Sequence, residues 1–155
     1  MPISTIIVFI LLAFVAITIF KGVRIVPQGY KWIVQRLGKY HTTLQPGLNF
    51  VIPYVDEVAY KVTTKDIVLD IPSQEVITRD NAVLLMNAVA YINLTTPEKA
   101  VYGIENYSWA IQNMVQTSLR SIVGEMDLDD ALSSRDHIKA KLKAAISDDI
   151  SDWGI

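Results

Sequence analysis

The side chains that could do chemistry are few in this chain of 155 residues, and their spacing matches no catalytic or metal-binding pattern. There is no cysteine, and His41 and His137 are too far apart to form a His-Glu-x-x-His zinc motif. Ser133 and Ser134 precede Lys139, but no motif supports a serine nucleophile activated by a lysine. No glycine-rich phosphate loop is present. We therefore expect no enzymatic activity, no metal site and no cofactor.

The charged residues are nearly balanced, with 14 Lys and Arg against 16 Asp and Glu, a net charge of −2 and a pI near 5.6. Without a basic field over the chain, nucleic acid is not an expected partner. The acidic side chains of Glu125, Asp127, Asp129 and Asp130 lack the alternating ligands and the glycine of a calcium loop. They are interpreted as a solvated cluster that caps a helix.

The elements that must position any functional surface begin with residues 1–20, which carry no charged side chain. At about 1.5 Å per residue, a helix of this length crosses a hydrocarbon core about 30 Å thick, so a transmembrane anchor is predicted. A cleaved signal peptide is the alternative, but no Lys or Arg precedes the apolar run and no small-residue cleavage site follows it. The side chains predicted to lie in the membrane are Ile6, Phe9, Leu12, Phe14, Ile17 and Phe20.

The basic residues that flank this segment all follow it, beginning with Lys21 and Arg24, whereas the first acidic residue is Asp56. Positive charge is retained on the cytoplasmic side of a membrane. We therefore expect a single-pass membrane protein whose N-terminus lies outside and whose remaining chain lies in the cytoplasm.

Residues 24–94 are predicted to be β-structure, because short alternating apolar runs are separated by turn signals. Pro72 is expected to end a strand over residues 67–71, since proline cannot donate to a β-ladder. A long strand over residues 82–94, with one apolar face, follows a tight turn at Arg79-Asp80-Asn81. A mainly β subdomain is therefore expected over residues 21–72.

The apolar period becomes that of a helix after Thr96, where Pro97 suits the first helical position. Helices are predicted over residues 97–102, from about 108 to 124, and from 133 or 134 to 154. The apolar residues of the second of these helices repeat at i, i+3 and i+4, so it lays one stripe on the sheet, and the last helix carries Ile138, Leu142, Ile146 and Ile150. Residues 73–155 are therefore expected to form a second, α/β subdomain.

A set of short motifs lies in one order along nearly the whole chain. In sequence they are Val26-Pro27-Gln28-Gly29-Tyr30, Arg36-Leu37-Gly38-Lys39-Tyr40, Leu44-Gln45-Pro46-Gly47-Leu48-Asn49-Phe50, Ile52-Pro53, Asp70-Ile71-Pro72-Ser73-Gln74-Glu75-Val76-Ile77-Thr78-Arg79-Asp80-Asn81, Leu119-Arg120, Leu128, Arg135-Asp136 and Trp153-Gly154-Ile155. Together they resemble the SPFH superfamily, which comprises stomatin, prohibitin, flotillin and the bacterial HflK and HflC proteins. Within it, the chain is most similar to the bacterial stomatin-like branch (paraslipin, QmcA type).

The resemblance implies an α+β fold, with an N-terminal transmembrane helix followed by an SPFH domain. That domain would have an antiparallel β subdomain and then an α/β subdomain with helices packed on a sheet. The family pattern continues with a further strand and a long coiled coil after Trp153-Gly154-Ile155. By this pattern, the chain is expected to be a fragment of a longer protein.

The resemblance also implies a non-enzymatic scaffold of the bacterial inner membrane. Such proteins assemble into a ring or cage that organises a membrane microdomain and its client proteins. The expected partners are therefore membrane lipids and other copies of the chain. One alternative is a regulatory subunit that binds and restrains a membrane protease of the FtsH type. A third is an anchored ligand-binding or hydrolytic domain.

The uncharged run of residues 46–54 lies near the predicted anchor in the sequence. It is interpreted first as a buried strand, because apolar β-runs usually bury within their own domain. Membrane contact is the alternative, since aromatic and basic side chains meet the headgroup region. The residues that would then contact lipid or the interface are Lys21, Arg24, Trp32, Phe50, Ile52 and Tyr54.

Three charged residues in the predicted helices are candidates for contacts between subunits, namely Arg120, Arg135 and Asp136. An exposed ion pair contributes at most about 1 kcal/mol to stability. Only a buried, bidentate arrangement would therefore help to set the geometry of a ring.

Overall fold

A computed structural model describes residues 3–155, with side chains from residue 6 onward. Met1 and Pro2 lie outside the described residues, and so does that part of the predicted anchor. The helices are α1 (Ile3–Gly22), α2 (Pro97–Gly103), α3 (Tyr107–Gly124), α4 (Leu128–Ser133) and α5 (Arg135–Asp152). The strands are β1 (Val23–Val26), β2 (Tyr30–Arg36), β3 (Lys39–Leu44), β4 (Gly47–Phe50), β5 (Asp56–Thr63), β6 (Ile67–Ile77) and β7 (Val83–Ile92).

The described chain divides into two compact units, of which the first ends at Thr64 and the second spans Lys65–Ile155. The strands of both units pair antiparallel. This mixture of helices and antiparallel strands is the expected α+β class. The sequence placed the boundary between subdomains after Pro72, which lies inside β6, whereas the division falls between Thr64 and Lys65.

The first unit contains a three-stranded sheet, in the order β3-β2-β5, and a two-stranded ribbon of β1 and β4. Val26 of β1 and Val51, just after β4, are buried in one apolar cluster with Val34 and Leu44 of the larger sheet. Burial of these side chains excludes apolar surface from water and so fixes the inner side of the ribbon on the sheet.

In the second unit, α3 and α5 pack on one face of the β6–β7 hairpin, as the sequence predicts. Side chains of β7 alternate, with Leu84, Met86 and Ala88 turned toward the helices and their neighbours exposed. The buried residues of the helices are Ile111, Val115, Leu119, Ile122 and Val123 in α3 and Ile138 in α5. The helical stripes predicted from the sequence are therefore the stripes that form this core.

Pro72 does not end its strand, which corrects the prediction made from its missing N–H group. β6 continues from Ile67 to Ile77, and its register with β7 shifts between Ile71 and Gln74. Pro72 and Ser73 lie within this bulge and have no partner in the register. Because the bulged residues make no ladder hydrogen bond, proline is tolerated there and the strand resumes at Gln74.

The turn between β6 and β7 has the local geometry that the sequence predicts, since Asn81 adopts a left-handed φ of 64°. The Asp80 carboxylate also accepts a hydrogen bond of 3.2 Å from the backbone N–H of Leu128, at the start of α4. Asp127 makes no side-chain cap of that helix. Its carboxylate instead accepts from Arg79 Nε at 3.0 Å. The turn and the α3–α4 connection are therefore joined by two carboxylates.

The second unit is closed by the turn that follows α5. The carbonyl of Gly154 accepts hydrogen bonds of 2.9 Å from the N–H groups of both Thr95 and Thr96. Gly154 has φ 73°, and a Cβ placed on it would lie 2.7 Å from the Thr96 carbonyl oxygen. Only glycine fits both the backbone conformation and the close approach.

α1 runs directly into β1, and the N–H of Val51 donates a 2.9 Å hydrogen bond to the carbonyl of Gly22 at its end. Within the part of the chain that the structure describes, no helix has both the length and the apolar character needed to cross a membrane. The transmembrane prediction for residues 1–20 is therefore not confirmed.

Candidate membrane-facing surface

The described apolar side chains of α1 are exposed along the helix. The six residues predicted to lie in the membrane are between 50% and 82% exposed, namely Ile6, Phe9, Leu12, Phe14, Ile17 and Phe20. The Thr18 hydroxyl donates a 2.8 Å hydrogen bond to the Phe14 carbonyl, so this polar group is satisfied within the helix. Apart from Thr18, the side chains of residues 6–20 of α1 are all hydrocarbon, and the charged Lys21 follows them in the last turn.

The outer face of the β1–β4 ribbon is also apolar and exposed. Cross-strand partners Ile25 and Leu48 lie on this face, and Phe50 extends it on β4. Ile52 and Tyr54, in the loop that follows, are exposed as well. We call these five residues the apolar ribbon face. Ile25 and Leu48 were not predicted, although their apolar character and their positions beside predicted turns were visible in the sequence.

The exposure of β4 corrects the first interpretation of residues 46–54 as a buried strand. Of the apolar residues in this run, Val51 is buried at 8% exposure, whereas Leu48 and Phe50 are exposed at 67% and 69%. The reason is the pairing, because β4 has β1 as its sheet neighbour and no element among the described residues of this unit covers its outer side. The alternative interpretation, membrane contact, stays a prediction.

The loop after β4 is held by a buried carboxylate. Asp56 accepts hydrogen bonds from Arg36 Nε at 2.6 Å and Arg36 Nη2 at 3.0 Å, and from the Ile52 N–H at 2.9 Å. The Asp56 side chain is 4% exposed. The bidentate guanidinium lowers the pKa of Asp56 to about 2, against the smaller opposing effect of its burial. This ionised contact fixes the loop that carries Ile52 and Tyr54.

Of the remaining candidates for lipid contact, Lys21 and Arg24 lie where α1 meets the ribbon, and both are exposed. Lys21 Nζ lies 6.0 Å from the centroid of the Tyr54 ring. Trp32 is placed differently, because it is half-buried against the apolar cluster of the first unit. Lys61 Nζ lies over its ring at 4.6 Å. The structure thus brings Lys21 near Tyr54 and gives Trp32 a packing role in the sheet.

The second unit exposes a different apolar surface on the side of the hairpin that faces away from α3 and α5. We call it the outer hairpin face. Its exposed residues are Val68, Asp70, Glu75 and Ile77 of β6, and Val83, Leu85, Val89 and Tyr91 of β7. The register places Asp70 opposite Val89 and Glu75 opposite Leu85, so two carboxylates flank the apolar side chains. Sequence reasoning predicted one buried face of β7 and missed that the other face is also largely apolar.

The three candidate subunit contacts lie in the second unit. Arg120 Nη2 donates a 2.8 Å hydrogen bond to Gln74 Oε1, so it orders a buried glutamine within its own chain. Arg135 and Asp136 form no ion pair with each other among the described residues. Arg135 and Lys139 line a groove of about 600 Å³ between β7, α4 and α5. The floor of this groove is apolar, with Leu84, Met86 and Leu119 among its residues.

In the described part of the chain, no group of three or more His, Asp and Glu side chains is arranged to hold a metal ion. His41 and His137 belong to different units. The carboxylates with lowered pKa values, Asp56 and Asp80, are held by hydrogen bonds to Arg36 and Thr78 respectively. The perturbed groups therefore stabilise loops, and the surfaces described above remain the features available for binding.

The sequence profile of the SPFH domain / Band 7 family matches residues 24–155 of the chain. The human mitochondrial stomatin-like protein 2 is 38% identical over 130 residues, which are 84% of this chain and 36% of that protein. An uncharacterised protein of Methanocaldococcus jannaschii is 42% identical over 137 residues, 88% of this chain and 68% of its own length. An uncharacterised protein of Mycobacterium tuberculosis is 36% identical over 146 residues, 94% of this chain and 38% of its own length.

The chain thus spans little more than a third of the stomatin-like relatives that it matches. None of these matches tests the assignment to the bacterial QmcA-type branch, which stays a prediction. The profile covers both units, from the first β-strand to the turn that closes α5. The chain therefore belongs to the SPFH domain / Band 7 family.

Proposed function

We propose that the protein is a non-enzymatic membrane scaffold whose copies assemble laterally into a ring or cage that organises a membrane microdomain. The observation that carries this proposal is the combination, within one unit, of an exposed apolar helix, an exposed apolar ribbon face and two exposed cations. Contiguous apolar surfaces with a charged rim mark protein or membrane interaction sites.

Membrane association is the first part of the proposal. The exposed apolar side chains of α1 enter the bilayer, and the apolar ribbon face rests in the headgroup region. Tyr54 and Phe50 are suited to this depth because aromatic rings favour the interface, and Lys21 and Arg24 favour anionic headgroups. The positive-inside rule supports an orientation with the second unit in the cytoplasm, and a bacterial inner membrane is the proposed location.

Lateral assembly is the second part, and charge indicates which surfaces meet. Two outer hairpin faces stacked on each other would bring Asp70 and Glu75 of both copies together, which is unfavourable. The groove that carries Arg135 and Lys139 has the opposite charge and an apolar floor. We infer that the outer hairpin face of one copy docks at this groove on the next. Leu85 and Val89 lie at the edge of both surfaces, which otherwise consist of different residues. Such a contact is therefore heterologous, so repetition with a closing rotation gives a ring.

The test is single-particle imaging of the full-length protein, extracted gently from its membrane. A closed ring or cage is expected, with the first unit at the membrane side. A complex of one or two copies with a membrane protease would instead assign the protein as a regulatory subunit. Monomers at working concentration, with the C-terminal region intact, would overturn the scaffold.

A further inference from the structure

The first unit contains a cleft of about 540 Å³ at the point where α1 ends and β1 begins. Its lining combines apolar walls with charged groups. The apolar side chains include Phe20, Val23 and Pro53, and the charged ones are Lys21, Arg24 and Asp56. A cleft of this kind accepts an amphipathic ligand, with a charged group at one part of the wall and hydrocarbon at another.

The single carboxylate of the lining is already neutralised. Asp56 accepts hydrogen bonds from Nε and Nη2 of Arg36 and from the Ile52 N–H. Its negative charge is therefore balanced by Arg36, and both of its oxygens already have donors. Arg36 itself is not part of the lining. The cleft therefore presents the charge of its two cations without an opposing charge.

The two cations differ in what holds them. Lys21 lies in the last turn of α1, where the helix dipole favours a positive charge, and its Nζ approaches the Tyr54 ring. These contacts within the protein are enough to explain why a lysine stands at position 21. Arg24 has no such reason, because it is exposed on β1 and makes no ion pair among the residues described. The Arg24 guanidinium is therefore the group of the lining that is most available to bind a ligand.

We propose that this cleft binds one phosphate group, with Arg24 as its principal ligand and Lys21 as the second. A guanidinium matches two phosphate oxygens with parallel N–H donors, and a nearby ammonium adds a point charge. The apolar wall then accommodates glycerol and acyl carbons, which a phospholipid carries beside its phosphate. The inference rests on the proposed membrane location when a lipid is the source, but free phosphate would use the same donors.

The experiment measures binding by the purified full chain held in phosphatidylcholine nanodiscs. Isothermal titration calorimetry is performed with short-chain phosphatidylglycerol, short-chain phosphatidylcholine and inorganic phosphate. Parent protein is compared with Arg24→Gln, Lys21→Gln and the charge-conserving Arg24→Lys. Lys39→Gln is the matched control, because it removes the same charge from an exposed residue of the same unit that does not line the cleft.

Phosphatidylglycerol is expected to bind more tightly than phosphatidylcholine, and each Gln variant in the cleft should weaken it about fivefold. Arg24→Lys should retain only part of the affinity, because lysine keeps the charge but not the parallel N–H donors, and Lys39→Gln should retain all of it. Inorganic phosphate binding with the same variant pattern would assign the site to soluble phosphate compounds. Equal effects of Arg24→Gln and Lys39→Gln, or no preference for the anionic lipid, would overturn the site.

Failure of the site and failure of the proposed function give different results. Flotation of the parent protein with neutral phosphatidylcholine vesicles tests membrane association without any anionic headgroup. Protein that floats but shows no cleft-dependent phosphate binding refutes the site alone. Protein that does not float refutes the membrane proposal, and titration of inorganic phosphate into the same protein and variants in buffer without lipid then decides whether the cleft binds phosphate.

Discussion

In the first unit, the apolar ribbon face has Lys21 near its Tyr54, with Arg24 on the opposite side of β1, whereas in the second unit the outer hairpin face is flanked by Asp70 and Glu75. Both surfaces belong to two-stranded antiparallel elements, and both expose large aliphatic or aromatic side chains. Their apolar content is therefore similar, and their charges differ in sign.

The difference indicates the kind of partner that each surface fits. Cations near an apolar face are attracted to anionic lipid, at about 1 kcal/mol for each Lys or Arg near the surface. Carboxylates beside an apolar face are repelled by the same lipid and favour a basic protein surface. The sign of two or three charges thus distinguishes a membrane contact from a protein contact when hydrophobicity does not.

The largest expected effect comes from a charge in α1. Leu12→Arg should cost about 3 kcal/mol of insertion and release the protein from membranes in a flotation assay. Leu85→Arg, on the outer hairpin face, is the matched control because it places the same side chain on an exposed leucine of the other surface. If Leu85→Arg released the protein as completely as Leu12→Arg, the division of roles between the two surfaces would be wrong.

The next effect separates folding of the second unit from membrane contact. Gly154→Ala should destabilise this unit by about 2 kcal/mol, because alanine at φ 73° is strained and its Cβ would meet Thr96. Hydrogen exchange of α5 and β7 measures the loss. Gly103→Ala is the control, since no atom lies within 4 Å of its added Cβ.

We expect Gly154→Ala to impair assembly while flotation remains at the level of the parent protein. Loss of flotation in this variant would mean that the second unit also contributes to membrane binding.

A smaller effect concerns the loop that carries Ile52 and Tyr54. The pKa of Asp56 is lowered to about 2, so its contact with Arg36 stabilises the fold above the ordinary pKa of an aspartate. That stabilisation should be lost as the pH falls from about 4 to about 2. Asp56→Asn should therefore lower the free energy of unfolding by about 1 to 2 kcal/mol at neutral pH.

Thermal unfolding measures this difference, which should narrow as the pH is lowered through that range. Glu57→Gln is the matched control, because Glu57 is an exposed neighbouring carboxylate without an ion pair among the described residues. A difference between Asp56→Asn and the parent that stayed constant down to pH about 2 would contradict the role of the ionised pair.

Much of the fold was predictable because local signals and tertiary packing agree. The stripe that includes Ile111, Val115 and Leu119 is buried as its helical spacing predicts, and Asn81 takes the left-handed φ that its turn requires. Pro72 was misinterpreted because a missing N–H does not reveal whether the ladder needs that donor. Only the pairing of β6 with β7 across the hairpin shows that the ladder needs no N–H donor at position 72.

The candidate surfaces were predictable only in part, for a related reason. An apolar run such as residues 46–54 has the same pattern whether a second layer covers it or not. The exposure of Phe50 follows from β4 having one sheet neighbour, which no local pattern encodes. Likewise, the alternation in β7 predicted a buried face, but Leu85 and Val89 on the other face had no local signal for exposure.

The smallest expected effect tests the charges proposed to join one copy to the next. Asp70→Lys with Glu75→Lys should weaken assembly, because the outer hairpin face would then repel the groove that carries Arg135 and Lys139. A partly exposed pair contributes up to about 1 kcal/mol, so two pairs should shift the midpoint of assembly by about tenfold in concentration. Native mass spectrometry over a dilution series measures that midpoint.

The complementary change, Arg135→Glu with Lys139→Glu, should weaken assembly to a similar extent when made alone. Mixing the two variants restores attraction at the contacts between unlike copies, so dimers and larger assemblies should reappear at concentrations at which neither variant assembles by itself. Lys143→Glu is the control, since Lys143 lies on α5 but does not line the groove. Dimers of the mixed variants would assign the contact to these two surfaces, because a contact elsewhere has no reason to respond to both exchanges together.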